Sequence, residues 1–249
     1  MQFRFANAIN YADLGSGQVL YSAPGFPSFP ARLSIELFER AREVARVERA
    51  SFWDPMCGAG GIATTVGIAC ANAVSRILAS DVSDDALVLA KRNLSLISAE
   101  GSLRRMIQLR TSGASHTRIS SAERLVEVTR GRDIPVRTAV ADVTNPGSLE
   151  AIAPGWVDIV LTDVPYGQRA HWYTKSAKPL SAMIAALCQV MPQHGVVVIA
   201  ARGKEAFCGT PPAYRSFKHG HRLIKMYRCG DVSGTECAWR AHRVEPEPP

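Results

Sequence analysis

Short apolar runs alternate along the chain with stretches of helical spacing. Residues 51–54, 77–80, 136–141, 157–162 and 196–200 carry apolar and β-branched side chains on consecutive positions, the pattern of strands covered on both faces. Between them, helices are expected over about 30–49, 62–74, 83–96 and 179–190. In the first, Leu33, Leu37, Ala41, Val44 and Ala45 share one face and Pro30 suits the start. Ser83-Asp84-Asp85 places acids in the first turn of the third, where they favour the positive end of the helix dipole. Residues 99–134 interrupt the alternation and read as a helical insertion, and residues 214–228 read as a hairpin around Lys218-His219-Gly220. The result is a doubly wound, mostly parallel α/β sheet with an antiparallel C-terminal edge. Residues 1–50 form a segment and helix packing on the core, 51–229 the main domain, and 230–249, ending Glu245-Pro246-Glu247-Pro248-Pro249, a disordered tail.

In such a sheet ligands bind at the carboxyl ends of the strands. Asp54, Asp81, Asp142 and Asp163 all fall on that edge. After Asp54 the chain reads Pro55-Met56-Cys57-Gly58-Ala59-Gly60-Gly61 and enters an apolar helix. Glycines there let the backbone approach a ligand, and the helix start adds N–H donors. Gly58, Gly60 and Ala63 also satisfy a dinucleotide pattern, so the loop alone leaves a nicotinamide or flavin enzyme open. Asp81 suits ribose hydroxyls in either case. Asp54 discriminates, because a carboxylate there repels a pyrophosphate but pairs with the α-ammonium of a methionine moiety, favouring S-adenosylmethionine. Asp142 can accept from an adenine amino group or a nearby N–H, or simply start the turn before Asn145-Pro146-Gly147.

The run ending at Asp163-Val164-Pro165-Tyr166 has the residue types needed to hold a planar nitrogen heterocycle. A base nitrogen is a weak nucleophile, so a carboxylate that accepts its hydrogen and a ring that stacks on the base both help. Asp163 and Tyr166 are the catalytic candidates. An ordinary strand-to-loop turn is the bland alternative. Just beyond, Arg169, His171 and Trp172 offer a bidentate donor and two stacking faces, while Arg202 and Lys204 could add phosphate contacts on the same edge.

Charge and cysteines then narrow the partners. A net charge of +7 and a pI near 9.3 suit a polyanion, and residues 99–134 concentrate Arg104, Arg105, Arg110, Arg118, Arg124, Arg130 and Arg132. Either these grip RNA phosphates, with Arg104 and Arg105 foremost, or they pair with Glu100, Glu123 and Glu127 on a solvated surface. Six cysteines, at 57, 70, 188, 208, 229 and 237, form no C-x-x-C pair, so no metal is expected and Cys57 reads as a small residue of the cofactor loop. With no apolar run of membrane-spanning length and no signal-peptide pattern, a cytoplasmic, monomeric protein without membrane contact is expected.

The strings DPMCGAGG, ASDVSDDALVLAKRNL, TAVADV and LTDVPYGQR resemble class I S-adenosylmethionine-dependent methyltransferases with a (D/N)PPY-type motif. YSAPGFPSFPARL and DVPYGQRAHW resemble more closely the avilamycin-resistance ribosomal RNA methyltransferases, the AviRa family, over about residues 10–230. The resemblance implies a seven-stranded Rossmann-like sheet and methyl transfer from S-adenosylmethionine to a guanine nitrogen of large-subunit ribosomal RNA, with resistance to an orthosomycin antibiotic as the outcome. It makes Asp54, Cys57, Gly58, Gly60, Asp81 and Asp142 the cofactor residues. Val164 stands where broader relatives have proline, which makes the turn less rigid. The residues leave open whether the exocyclic amine or the ring nitrogen is methylated, and transfer RNA or a small molecule are the competing acceptors.

Overall fold

The computed structural model describes all residues except 8–10, 16, 27, 153–154, 165–177 and 234–249. In chain order its elements are α1 (Ala31–Ala45), β1 (Ala50–Asp54), α2 (Gly61–Ala69), β2 (Val74–Asp81), α3 (Asp84–Leu94), α4 (Ala99–Thr111) and α5 (His116–Thr129). Then come β3 (Val136–Val140), α6 (Pro146–Glu150), β4 (Ile159–Asp163), α7 (Pro179–Val190), β5 (Val196–Arg202), β6 (Arg215–His219), β7 (Arg222–Arg228) and α8 (Cys229–Ser233). The strands form one seven-stranded sheet in the order β3-β2-β1-β4-β5-β7-β6. The first five run parallel, while β7 is antiparallel to both β5 and β6.

Burial explains why the central strands read as unbroken apolar runs. Along β5, Val196, Val198 and Ala200 enter one core, and Val197, Ile199 and Ala201 enter the other. In β1, Phe52 faces the first core and Trp53 the second. Both faces are covered by helices, so alternation disappears.

Three of the departures from the sequence expectation have a clear local cause. Helix α1 stops at Ala45 because Arg46 adopts a left-handed conformation, φ 56°, which ends the helix ahead of β1. Helix α2 ends at Ala69 and not near residue 74, since Val74 is already the parallel partner of Ala50. At the C-terminus, residues 229–233 form α8, where the N–H groups of Cys229 and Gly230 donate to the carbonyls of Gly195 and Gln193. The expected tail therefore does not begin at residue 230; residues 234–249 lie outside the described residues.

The N-terminal segment is fastened to the core at two places. Glu36 of α1, fully buried, accepts from the N–H groups of Arg4, Phe5 and Ala6 and from Arg40 Nε. Further along, Asn93 of α3 exchanges hydrogen bonds with the Tyr21 backbone and donates to the Ala59 carbonyl. The second tie brings Tyr21, Phe26 and Phe29 to the carboxyl edge of the sheet, beside Asn93, Gly58 and Arg222.

Candidate active site

The strand order reverses between β1 and β4, so Asp54 and Asp163 close adjacent strands at the topological switch point. Asp81 closes β2 on the other side of β1. The loop after β1 is tightly knit: Cys57 N–H donates to the Ser80 carbonyl, and Gly60 N–H to the Cys57 carbonyl. Asp81 braces it, one carboxylate oxygen accepting from Gly58 N–H at 2.9 Å and the other from Ser83 N–H at 3.0 Å. Gly58 and Gly60 have φ of 49° and 75°, and a Cβ on Gly60 would lie 3.1 Å from the Ala90 Cα of α3. Their role includes letting α3 pack against the loop as well as shaping it. A Cβ on Gly61, by contrast, would meet nothing within 4 Å, so the α2 start faces open space.

Electrostatics separates the acids. Asp54 is 1 % exposed, and burial pushes its carboxyl up to about 8; the Thr162 side chain and Met56 backbone oppose this, and the charges of Asp81 and Asp163 add to it. Among the described residues its Oδ1 makes no close hydrogen bond, and the Thr162 hydroxyl of β4 is set toward the Asp54 carboxyl. Asp163 is also held above the usual carboxylate range, mainly by burial, with Arg222 and then Arg202 pulling the other way. Its Oδ1 is likewise without a partner among the described residues. Buried acceptors left unused are costly unless a ligand supplies the donor, so Asp54 Oδ1 and Asp163 Oδ1 are candidates to face one.

The remaining expected site residues divide clearly. Cys57 is buried and its thiol is pushed up, mainly by desolvation, which suits a packed loop residue and not a nucleophile. Asp142 forms the turn before α6, its Oδ1 accepting from the N–H and hydroxyl of Thr144. Val164 is buried, and its N–H donates to the Ala200 carbonyl at 2.9 Å, a bond proline could not make. This fixes the start of the turn by another means. Tyr166, Arg169, His171 and Trp172 lie outside the described residues.

In the arginine-rich insertion the structure displays the pairing that the sequence left as the alternative to phosphate contacts. Helices α4 and α5 form an antiparallel pair whose arginines are engaged within the chain. Arg105 is 6 % exposed; its Nε donates to the Val19 carbonyl at 2.8 Å, and its guanidinium stacks 3.9 Å from the Tyr21 ring centre, opposite Arg92 at 4.1 Å. Arg118 donates to the Gln18 carbonyl, Arg124 forms a two-point pair with Asp13, and Arg132 donates to the Ile68 carbonyl. Arg104, Arg110 and Arg130 pair with Glu100, Glu123 and Glu127. Arg105 thus fastens the N-terminal segment, with Nε donating to Val19 and Nη1 to Gln108 inside the fold.

A different cationic rim stands at the site edge. The β6–β7 turn at Gly220 and His221 emerges beside the end of β5, since Arg222 is the cross-strand partner of Arg202. Lys204, Lys218 and His221 are exposed there, and among the described residues the two lysine ammonium groups have no ion-pair partner. Arg222 itself was not foreseen. It sits beside Asp163, with Phe29 of the N-terminal segment 5.0 Å from its Cζ; only the antiparallel register brings it there, and nothing local in the sequence signals that.

A mostly parallel doubly wound sheet with a glycine loop, a ribose-type acid and an acid-tipped β4 defines a Rossmann-like fold of the class I methyltransferase type. The chain belongs to the rRNA methyltransferase AviRa family, whose model matches residues 1–222. A 23S rRNA (guanine(2535)-N(1))-methyltransferase of Streptomyces viridochromogenes is 35 % identical over 237 residues, covering 90 % of this chain and 94 % of that protein. Two crystal structures of rRNA methyltransferase AviRa from the same organism superimpose with TM-scores of 0.85 and 0.84, at 33 % and 32 % identity, each covering 94 % of this chain and 99 % of the other.

Proposed function

We propose that this protein transfers a methyl group from S-adenosylmethionine to N1 of a guanine in 23S ribosomal RNA. The observation that carries the reading is the pair of buried carboxylate oxygens, Asp54 Oδ1 and Asp163 Oδ1, without a close partner among the described residues at the switch point of an AviRa-family chain. The name of the Streptomyces relative supports the guanine N1 and the ribosomal substrate.

The residues fit the cofactor. Asp54 offers a desolvated carboxylate oxygen to the α-ammonium, and Asp81, already oriented by Gly58 and Ser83, retains lone pairs for the ribose hydroxyls. Gly58, Gly60 and the open start of α2 leave room for close approach, and Asp142 stands at the adjoining strand end with Oδ2 available for an adenine amino group. When bound, the sulfonium supplies an already electrophilic methyl carbon and so requires no metal. Asp163 takes the N1 proton of the guanine, and burial shifts its proton affinity upward from that of an ordinary carboxylate, the direction a proton acceptor needs. Tyr166 stacks on the base, and Arg169, His171, Trp172, Arg202 and Lys204 contact the surrounding RNA. Protection of the ribosome against an orthosomycin antibiotic is the biological consequence of such a modification.

The experiment is methyl transfer from labelled S-adenosylmethionine to 23S rRNA, transfer RNA and intact large subunits, with mapping of the modified nucleotide. Label at N1 of one guanine in 23S rRNA is expected, and Asp163→Ala should lower the single-turnover rate by at least about 10², the low end for a positioned proton acceptor. Labelling of transfer RNA alone, or a near-normal rate in Asp163→Ala, would overturn the reading.

A further inference from the structure

The contact between Asp163 and Arg222 is half made. Arg222 opens β7, directly across from Arg202 at the end of β5, and Asp163 is level with Ala200 on the same strand. One guanidinium nitrogen of Arg222 lies 3.5 Å from Asp163 Oδ2, with each side chain 15 % exposed. A closed arginine–carboxylate fork makes two parallel bonds at about 2.7–2.9 Å. Here the second donor, Arg222 Nε, and the second acceptor, Asp163 Oδ1, are both buried and both without a partner among the described residues. Phe29 stands against the guanidinium at 5.0 Å from its Cζ.

This geometry has a chemical consequence. A closed fork would tie both carboxylate oxygens to a permanent cation and make Asp163 a poor proton acceptor. With no cation, burial would raise its proton affinity further and leave less of it ionised to accept a proton. The half-open pair avoids both outcomes. Oδ2 is held near a positive charge, and Oδ1 keeps its lone pairs.

We propose that Arg222 is the positioning residue of the transfer step: steadied by Phe29, it orients Asp163 through Oδ2 and balances its charge, leaving Oδ1 to take the guanine N1 proton. The inference rests on the reading of Asp163 as proton acceptor. In the step itself the proton passes from N1 to Oδ1 and the N1 electron pair forms the bond to the methyl carbon. The electrons of the broken carbon–sulfur bond remain on sulfur. Arg222 exchanges no proton.

The groups facing Asp163 are Arg222 from β7, Arg202 from β5 and Asp54 from β1. Both arginines favour the ionised carboxylate, and burial together with Asp54 opposes it. Replacing Arg222 by a neutral side chain therefore raises the proton affinity of Asp163 and moves the acid limb of the rate profile toward higher pH.

The test is single-turnover methyl transfer to a 23S rRNA fragment, at saturating RNA and S-adenosylmethionine, across the pH range for the wild type, Arg222→Gln and Arg222→Lys. In Arg222→Gln the acid limb should shift upward by about one pH unit, so that the rate on that limb falls about tenfold while the alkaline plateau changes by less than about threefold. Arg222→Lys, which restores the charge, should bring the limb back toward the wild-type position. Phe29→Leu keeps both charges and should shift the limb in the same direction by less, which keeps the test intact should Arg222→Gln fail to fold. An unmoved limb in both Arg222→Gln and Phe29→Leu, or a loss equal at every pH, overturns the role of Arg222 while leaving the proposed function standing. A wild-type protein that transfers no methyl to any RNA overturns the function and the inference together.

Discussion

The two halves of the sheet edge treat their polar groups in opposite ways. On the β2 side, Asp81 is tied by two backbone N–H groups, Asn93 by three backbone partners, and Arg105 by Val19, Gln108 and Tyr21. On the β4–β5–β7 side, Asp163 and Arg222 each keep a buried atom without a partner among the described residues, and Lys204 and Lys218 stand exposed beyond them. Satisfied groups hold shape; unsatisfied ones are kept for something that arrives. Asp54 sits on the boundary, part of the knitted loop yet with one oxygen unused. A basic count from the sequence therefore says less than the destination of each cation.

The largest expected effect lies at that boundary. Burial lifts the Asp54 carboxyl from 3.8 to about 8, so at pH 6 the cofactor-free protein holds it protonated. Pairing with an ammonium requires the ionised form. Affinity for S-adenosylmethionine should thus rise with pH by up to about tenfold per unit and level off above about pH 8, with proton release on binding below that point. The stability of the cofactor-free chain runs the other way: a raised folded pKa contributes stability that is fully present below 3.8 and lost as pH rises through about 8. Calorimetry across pH with wild type and Asp54→Asn checks both slopes. A pH-independent affinity in the wild type would move Asp54 into the satisfied half.

Next is Arg105. If it is a fastener, Arg105→Ala should lower folding stability by about 2–3 kcal/mol, the scale of bonds made by a charged donor plus a stranded carbonyl. The salt dependence of RNA binding should not change. Urea unfolding and binding titrations separate the two, and a reduced salt slope with intact stability would return α4–α5 to the RNA interface.

The opposite result is expected at the rim. The double variant Lys204→Ala, Lys218→Ala should leave stability intact, reduce the slope of log affinity against log salt by roughly 1.5, and weaken RNA binding on the order of tenfold. An unchanged slope would leave this half without a phosphate contact of its own.

Much of the fold was legible because parallel strands buried on both faces leave long apolar runs, as in β5, and because the acids that end β1, β2 and β4 interrupt those runs visibly. The N-cap of α3 was legible for a local reason: Ser83 Oγ accepts from Ala86 N–H three residues on. What escaped was long-range pairing. The Arg105–Val19 bond spans 86 positions and the Arg124–Asp13 pair 111, and no local pattern distinguishes an arginine that will find such a partner from one left in solvent. Arg222 was missed for the same reason, since its place depends on the antiparallel register of β7 against β5.

Arg104 is the control within the insertion and carries the smallest expected effect. It lies one residue from Arg105 on α4 but on the exposed side, paired only with Glu100 one turn earlier. Exposed pairs of this kind contribute about 0–1 kcal/mol, because solvent screens the attraction and ordering two long side chains costs entropy. Arg104→Ala should therefore change stability by no more than about 0.5 kcal/mol and leave cofactor affinity unchanged. Because its guanidinium can leave Glu100 at little cost, Arg104 is also free to reach a phosphate. A salt-slope decrease of roughly 0.7–0.9 in Arg104→Ala would show that it does. No decrease, beside a clear one in the Lys204 and Lys218 variant, would confine phosphate recognition to the half of the edge whose charges the fold leaves unpaired.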